Sequence, residues 1–205
     1  MKKETKKIID GLIYLHSSYA NTYRSMITKE RYDALIKSNL VKNLDYDSHL
    51  IREPLIEHVG HTSLIASYLH RYIEHSQEVD LGRTLIMLSI HDIGETVVGD
   101  VMTYKKTKTD EDLELKATRK LLPKYLYEYF QEMEDRSTMD AKFAKSTDSI
   151  APLIHEVIMP KVTLERFKQY HFSIDDIIAK KEKHFEWDNF LKDSFDYLIE
   201  LYKKM

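Results

Sequence analysis

Apolar residues recur at helical spacing along most of this chain. Ile8, Leu12, Leu15 and Tyr19 form one stripe near the start. After Gly60, Leu64, Tyr68 and Tyr72 stand at i, i+4 and i+8, with Ile65, Leu69 and Ile73 alongside, the period of an amphipathic helix. The segment "DLGRTLIMLSIHD" puts Leu81, Leu85, Leu88 and Asp92 on one face. A long polar helix is expected over residues 110 to about 135, bent at Pro123, and another over 138 to about 157. Residues 175–183 and 187–204 complete the helical pattern, and the two longer loops are 43–55 and 94–109. Five glycines and four prolines leave little turn chemistry for a β-rich fold. The expectation is all-α, one helical-bundle domain over residues 1–205. Extended pieces could lie in "IREPLIEHV" or "ETVVGDV", but no sheet is required.

Composition narrows the chemistry. Hydrophobic residues at 42% and charged residues at 32% describe a globular chain. A net charge of −3 argues against a nucleic-acid polymer as partner. The opening "MKKETKKIIDGLIYLHSSYAN" is interrupted by Asp10 and His16, so it does not read as a secretory leader. No apolar run is long enough to span a membrane. A cytoplasmic protein with no membrane partner is expected. With no cysteine, any metal must be held by nitrogen and oxygen, and ten histidines are present.

Three expected helices carry residues suited to that task. His61 stands at the start of the helix after Gly60, and His91 and Asp92 end the "LGRTLIMLSI" helix. Asp148 shares a stripe with Ala141, Ala144 and Ala151. A carboxylate on such a core-facing stripe is costly unless paired or bound to a cation. Pro152 lacks the amide that would bond the carbonyl of Asp148, so the helix should loosen there. Of the other histidines, His58, His70, His75, His155, His171 and His184 read as structural, with His58 close enough to His61 to orient a ligand.

In this order, His61, His91-Asp92 and Asp148 resemble the metal-dependent phosphohydrolases of the HD-domain superfamily. "HDIGETVVGD" and "EHVGHTSLIASYL" are similar to the 5′-deoxynucleotidase branch. The resemblance covers residues 52 to about 157, with the C-terminal helices of 158–205 packed on that core. It implies that His61, His91, Asp92 and Asp148 hold one divalent ion: Mn²⁺, Co²⁺, Fe²⁺, Zn²⁺ or Mg²⁺. No histidine lies between Asp92 and Asp148, where two-metal members of the superfamily place additional ones, so the resemblance implies one metal and not two.

The resemblance also implies catalytic roles for Glu95, at the attacking water, and Asp100, at the leaving oxygen. Gly94 and Gly99 are expected to allow the turns that bring both acids to the ion. Thr103, Lys106 and Arg52 are the expected substrate contacts. The implied partner is a small nucleotide, a (deoxy)nucleoside 5′-monophosphate, and the implied assembly a homodimer. Alternatives are hydrolysis of another phosphate ester or a pyrophosphate, such as guanosine tetraphosphate, or a non-catalytic nucleotide sensor.

Overall fold

A computed structural model describes residues 23–27, 52–101, 105–158 and 160–205. The stripe from Ile8 to Tyr19 lies outside these residues. The described chain is helical apart from one ribbon: β1 (Tyr23–Ile27) pairs antiparallel with β2 (Arg52–Pro54). Helices follow as α1 (Leu55–Leu69), α2 (Leu81–Ile90), the short α3 (Glu95–Val98), α4 (Lys108–Leu121) and α5 (Lys124–Asp135). Then come α6 (Met139–Ile158), α7 (Pro160–Tyr170), α8 (Ile174–Lys181) and α9 (Asn189–Lys203). Among the described residues, no helix is long and apolar enough to cross a membrane.

Local chemistry explains the boundaries. Pro54 cannot donate an amide, and α1 starts directly after it. Gly60 therefore lies inside α1 and does not precede it; a Cβ there would meet nothing within 4 Å. Asp80 caps α2 by accepting from the Arg83 amide at 3.2 Å. The polar helix expected over 110–135 is two helices and not one bent helix. Leu122, the residue before Pro123, is extended at φ −84°, ψ 136°, as the proline ring demands.

The long helix α6 is the strut on which the others pack. A large apolar cluster joins Ala66 of α1, Met87 and Leu88 of α2, Phe143 and Ala144 of α6, and Leu191 and Phe195 of α9. A smaller one holds Leu55, Val59, Ile90, Ile93, Leu122 and Phe130. Arg83 clamps α2 to its neighbours, with Nε 2.7 Å from Asp140 and Nη2 2.6 Å from Glu132. At the far end of α6, buried Glu156 accepts from the Arg166 guanidinium of α7 and from the Tyr202 hydroxyl of α9, the latter at 2.5 Å. Removing one partner of such a buried pair costs about 3–5 kcal/mol, because a charge is left uncompensated.

Candidate metal centre

Four side chains converge where α1, the end of α2 and the middle of α6 meet. His91 Nε2 lies 3.2 Å from Asp92 Oδ2 and 3.3 Å from Asp148 Oδ1. His58 Nε2 lies 3.5 Å and 3.6 Å from the same two oxygens. The sequence placed His61 here, and the geometry corrects that: the ring facing the carboxylates is His58, one helical turn earlier. His61 is not in the group of His58, His91 and Asp92 whose potential ligand atoms lie within 4.8 Å of one another. The error came from reading Gly60 as the helix start. With α1 beginning at Leu55, His58 sits between buried Leu55 and Val59 on the inward face.

Helix ends and packing fix the other ligand candidates. His91 follows the last residue of α2, and its Nδ1–H donates to the Leu88 carbonyl at 2.8 Å. That bond sets the tautomer and leaves the Nε2 lone pair aimed inward. Nε2 is buried and makes no hydrogen bond, an orphaned acceptor beside two carboxylates. The three alanines of the Asp148 stripe are each at most 1% exposed, so neighbouring helices approach Asp148 closely. Lys145, one turn before, places Nζ 3.3 Å from the other oxygen of Asp148 and 3.6 Å from Glu134.

The electrostatics are those of an anionic pocket held in place by a cation. Burial opposes ionisation of Asp148, but Lys145 and His91 outweigh it and hold its carboxyl well below the usual range. Burial likewise opposes charge on His91, yet Asp92 and Asp148 push its ring up, so that a proton on Nε2 and a metal cation would compete for the same lone pair. Two imidazole nitrogens and two carboxylate oxygens at 3.2–3.6 Å fit a divalent cation of borderline hardness. A second cluster, Glu74, His75 and Asp188, has a local explanation. Asp188 caps α9, accepting from Leu191 at 3.1 Å and from the Glu74 amide at 2.8 Å.

Glu95 and Asp100 line the same cavity as His91, Asp92 and Asp148, which encloses about 610 Å³. Glu95 opens α3 and is buried; Asp100 follows Gly99 and is half-buried. The two glycines act differently from each other. Gly99 takes φ 84°, left-handed backbone that favours glycine. Gly94 is ordinary right-handed helix at φ −62°, so its value is clearance and not a turn. A Cβ on Gly94 would meet Thr118 Oγ1 at 2.4 Å and the Glu114 carbonyl at 2.6 Å. The bare backbone lets α3 rest directly on α4.

The expected substrate contacts fare unevenly. Thr103 lies outside the described residues. Arg52 opens β2, just before α1. Lys106 lines the cavity but is ion-paired with Glu114. The sequence reading passed over Lys145, whose signal was its i, i+3 spacing to Asp148. It also passed over Arg136, Lys180, Lys181, Lys183 and His184, which line the cavity from the end of α5 and from α8 and beyond. They lie 35–39 residues from Lys145 or at another helix's end, so no spacing announces them. Tyr127, Phe130, Leu115 and Val101 supply its apolar lining.

No curated protein matches the chain. A predicted metal-dependent phosphohydrolase from Magnetospirillum magnetotacticum MS-1 superposes with TM-score 0.74 at 24% identity, over 99% of this chain and 97% of that one. A conserved hypothetical protein from Pyrococcus furiosus gives 0.57 at 19%, over 96% and 99%. The PH0347 protein from Pyrococcus horikoshii OT3 gives 0.58 at 16%, over 95% and 98%. The HD domain family matches residues 44–188, a span that contains all four converging side chains as well as Glu95 and Asp100. The chain belongs to the HD domain family.

Proposed function

We propose that this protein is a metal-dependent phosphohydrolase that cleaves nucleoside 5′-phosphate monoesters, deoxy forms included. One observation carries the reading: the orphaned His91 Nε2, buried against Asp92 and Asp148, opens onto a cavity that also holds Glu95 and Asp100. The likeness to a predicted metal-dependent phosphohydrolase over nearly the whole chain supports it.

His58, His91, Asp92 and Asp148 would hold the ion. When bound, a divalent cation polarises the phosphoryl group and acidifies water. Lys145 fixes the rotamer of Asp148 by holding its second oxygen. The Leu88 carbonyl holds the His91 ring in the tautomer that offers Nε2. Glu95 accepts the proton of the attacking water as its oxygen bonds to phosphorus. The phosphorus–oxygen ester bond breaks, and Asp100 delivers a proton to the departing sugar oxygen. Tyr127, stacked on Phe130 with ring centroids 5.9 Å apart, gives the nucleobase an apolar wall.

The test is a phosphate-release panel over nucleoside monophosphates with Mn²⁺, Co²⁺ or Mg²⁺ added. Release that disappears in Glu95→Ala and Asp148→Ala is the expected result. A folded, metal-loaded protein inert on every monophosphate overturns the reading.

A further inference from the structure

The residues before α4 deliver one cation to the cavity, and the helix itself supplies the acid that holds it. Lys106 directly precedes Thr107, whose amide and hydroxyl donate to Asp110 at 2.8 Å and 2.6 Å. That capping box fixes the backbone beside the lysine. Glu114, two turns further along α4, receives the Lys106 ammonium. Both side chains line the cavity with His91, Asp92 and Glu95, yet only 22% of Lys106 and 13% of Glu114 is exposed.

The surroundings make this pair costly for packing alone. Burial opposes the charge of Glu114 and Lys106 does not offset it, so the carboxyl titrates above its ordinary value, with Asp92 adding to the shift. Burial also opposes the charge of Lys106, but Glu114, and then Glu95 and Asp92, hold the ammonium above its ordinary value. The lysine therefore stands in the field of both acids next to the ligand candidates. A buried ion pair contributes little net stability, and apolar side chains of similar size often serve a helix contact better. The stem of Glu114 is held as well. Its Cγ and its carbonyl oxygen lie 2.8 Å and 2.6 Å from where a Cβ on Gly94 would stand, which ties Glu114 to the turn that carries Glu95.

An ammonium carries three donors. Among the described residues, Glu114 is the carboxylate that pairs with Lys106, which leaves donors for an anion in the cavity. The lysine stem is flexible, and a cation already held in place binds an anion at a lower ordering cost than one free to swing. We propose that Glu114 is a positioning residue: it holds the Lys106 ammonium beside Glu95, where it meets the oxygens of the bound phosphoryl group. The identity of that anion rests on the phosphohydrolase reading. Bare electrostatics predicts the opposite, because removing a carboxylate from the surroundings of an anion strengthens its binding. The two effects differ in sign.

Calorimetry with inorganic phosphate on the full-length, Co²⁺-loaded protein, freed of excess metal, separates them. Glu114→Gln should weaken phosphate binding about tenfold, within the range over which touching residues couple. Lys106→Met should weaken it at least as much, and the double variant should be no weaker than Lys106→Met alone. A purely structural contribution of Glu114, such as its contact with Gly94, would persist without the lysine and add to that loss. Equal or tighter binding in Glu114→Gln, or additive losses in the double variant, overturns the positioning role. So does unchanged affinity in Lys106→Met, which keeps the apolar stem and tests the cation even where circular dichroism shows Glu114→Gln unfolded. Phosphate binding with this coupling, in a protein that hydrolyses no monophosphate, overturns the phosphohydrolase reading and leaves the role of Glu114 standing. Hydrolysis of monophosphates with phosphate affinity intact in Glu114→Gln overturns the role of Glu114 alone.

Discussion

Lys145 and Asp148 stand one helical turn apart on α6, and the carboxylate between them and the imidazoles is divided. Its Oδ2 lies 3.3 Å from Lys145 Nζ, while its Oδ1 lies 3.3 Å from His91 and 3.6 Å from His58. The lysine thus holds a candidate ligand by the oxygen that faces away from the imidazoles. Lys145→Met should weaken metal binding by about 10–100-fold, the usual effect of removing an outer partner. Titration of the chelator-treated protein with Co²⁺ checks this, and an unchanged affinity would show that Asp148 needs no such support.

His58 and His61 give a sharper contrast. His58→Ala should abolish stoichiometric metal after dialysis, whereas His61→Ala should retain it. Metal content by mass spectrometry, with circular dichroism as a control for folding, decides between them. The reverse pattern would mean that α1 presents its other histidine.

The glycines of the acidic turn should respond unequally. Gly94→Ala forces a methyl onto Thr118 and the Glu114 backbone, an overpacking cost of about 1–3 kcal/mol. For a chain of this size each kcal/mol lowers Tm by about 2–4 °C. Gly99→Ala meets no neighbour within 4 Å but must hold φ 84°, at a cost of about 1–2 kcal/mol. Hydrolysis should fall further in Gly94→Ala, because the displaced α3 carries Glu95. Equal stability of both variants with the parent would contradict the packing described.

His184 should leave a mark on stability against pH. Its folded ring titrates near 4, against about 6.5 when unfolded. Between those values the unfolded chain binds the extra proton, so stability is full above pH 6.5 and declines as pH falls toward 4. The ring is half-buried, so the slope should stay below the limiting value of about 1.4 kcal/mol per pH unit. Urea denaturation at several pH values, with His184→Asn as the comparison, should show a flatter decline in the variant. Parallel slopes would refute the assignment.

Much of this was legible in the chain, for physical reasons that can be named. Helices α2 and α6 announce themselves through apolar period, and Asp148 through the alanines on its stripe. His91-Asp92 is visible because acids and glycines crowd the end of a buried helix. Gly60 misled because glycine usually punctuates helices, whereas here Pro54 sets the start and the glycine is simply tolerated. The helix α7 went unseen because "PKVTLERFKQY" holds few apolar residues; it is anchored through the Glu156–Arg166 pair. The basic part of the cavity lining could not be read at all. Its residues come from the ends of separate helices, and only the packing of α5, α6 and α8 brings them to one cavity.

The buried Glu156 bears on how small this domain can be made. The family match ends at residue 188, and the motifs all lie before 157. Yet Tyr202, near the end of α9, donates to Glu156, and Leu191, Phe195 and Ile199 fill the main core. A protein shortened to the matched segment would expose that core and weaken the support of a buried carboxylate on the same helix that carries Asp148. The seventeen residues after 188 thus underpin the helix that carries Asp148, and their loss should be felt at the candidate metal centre, more than one helix away.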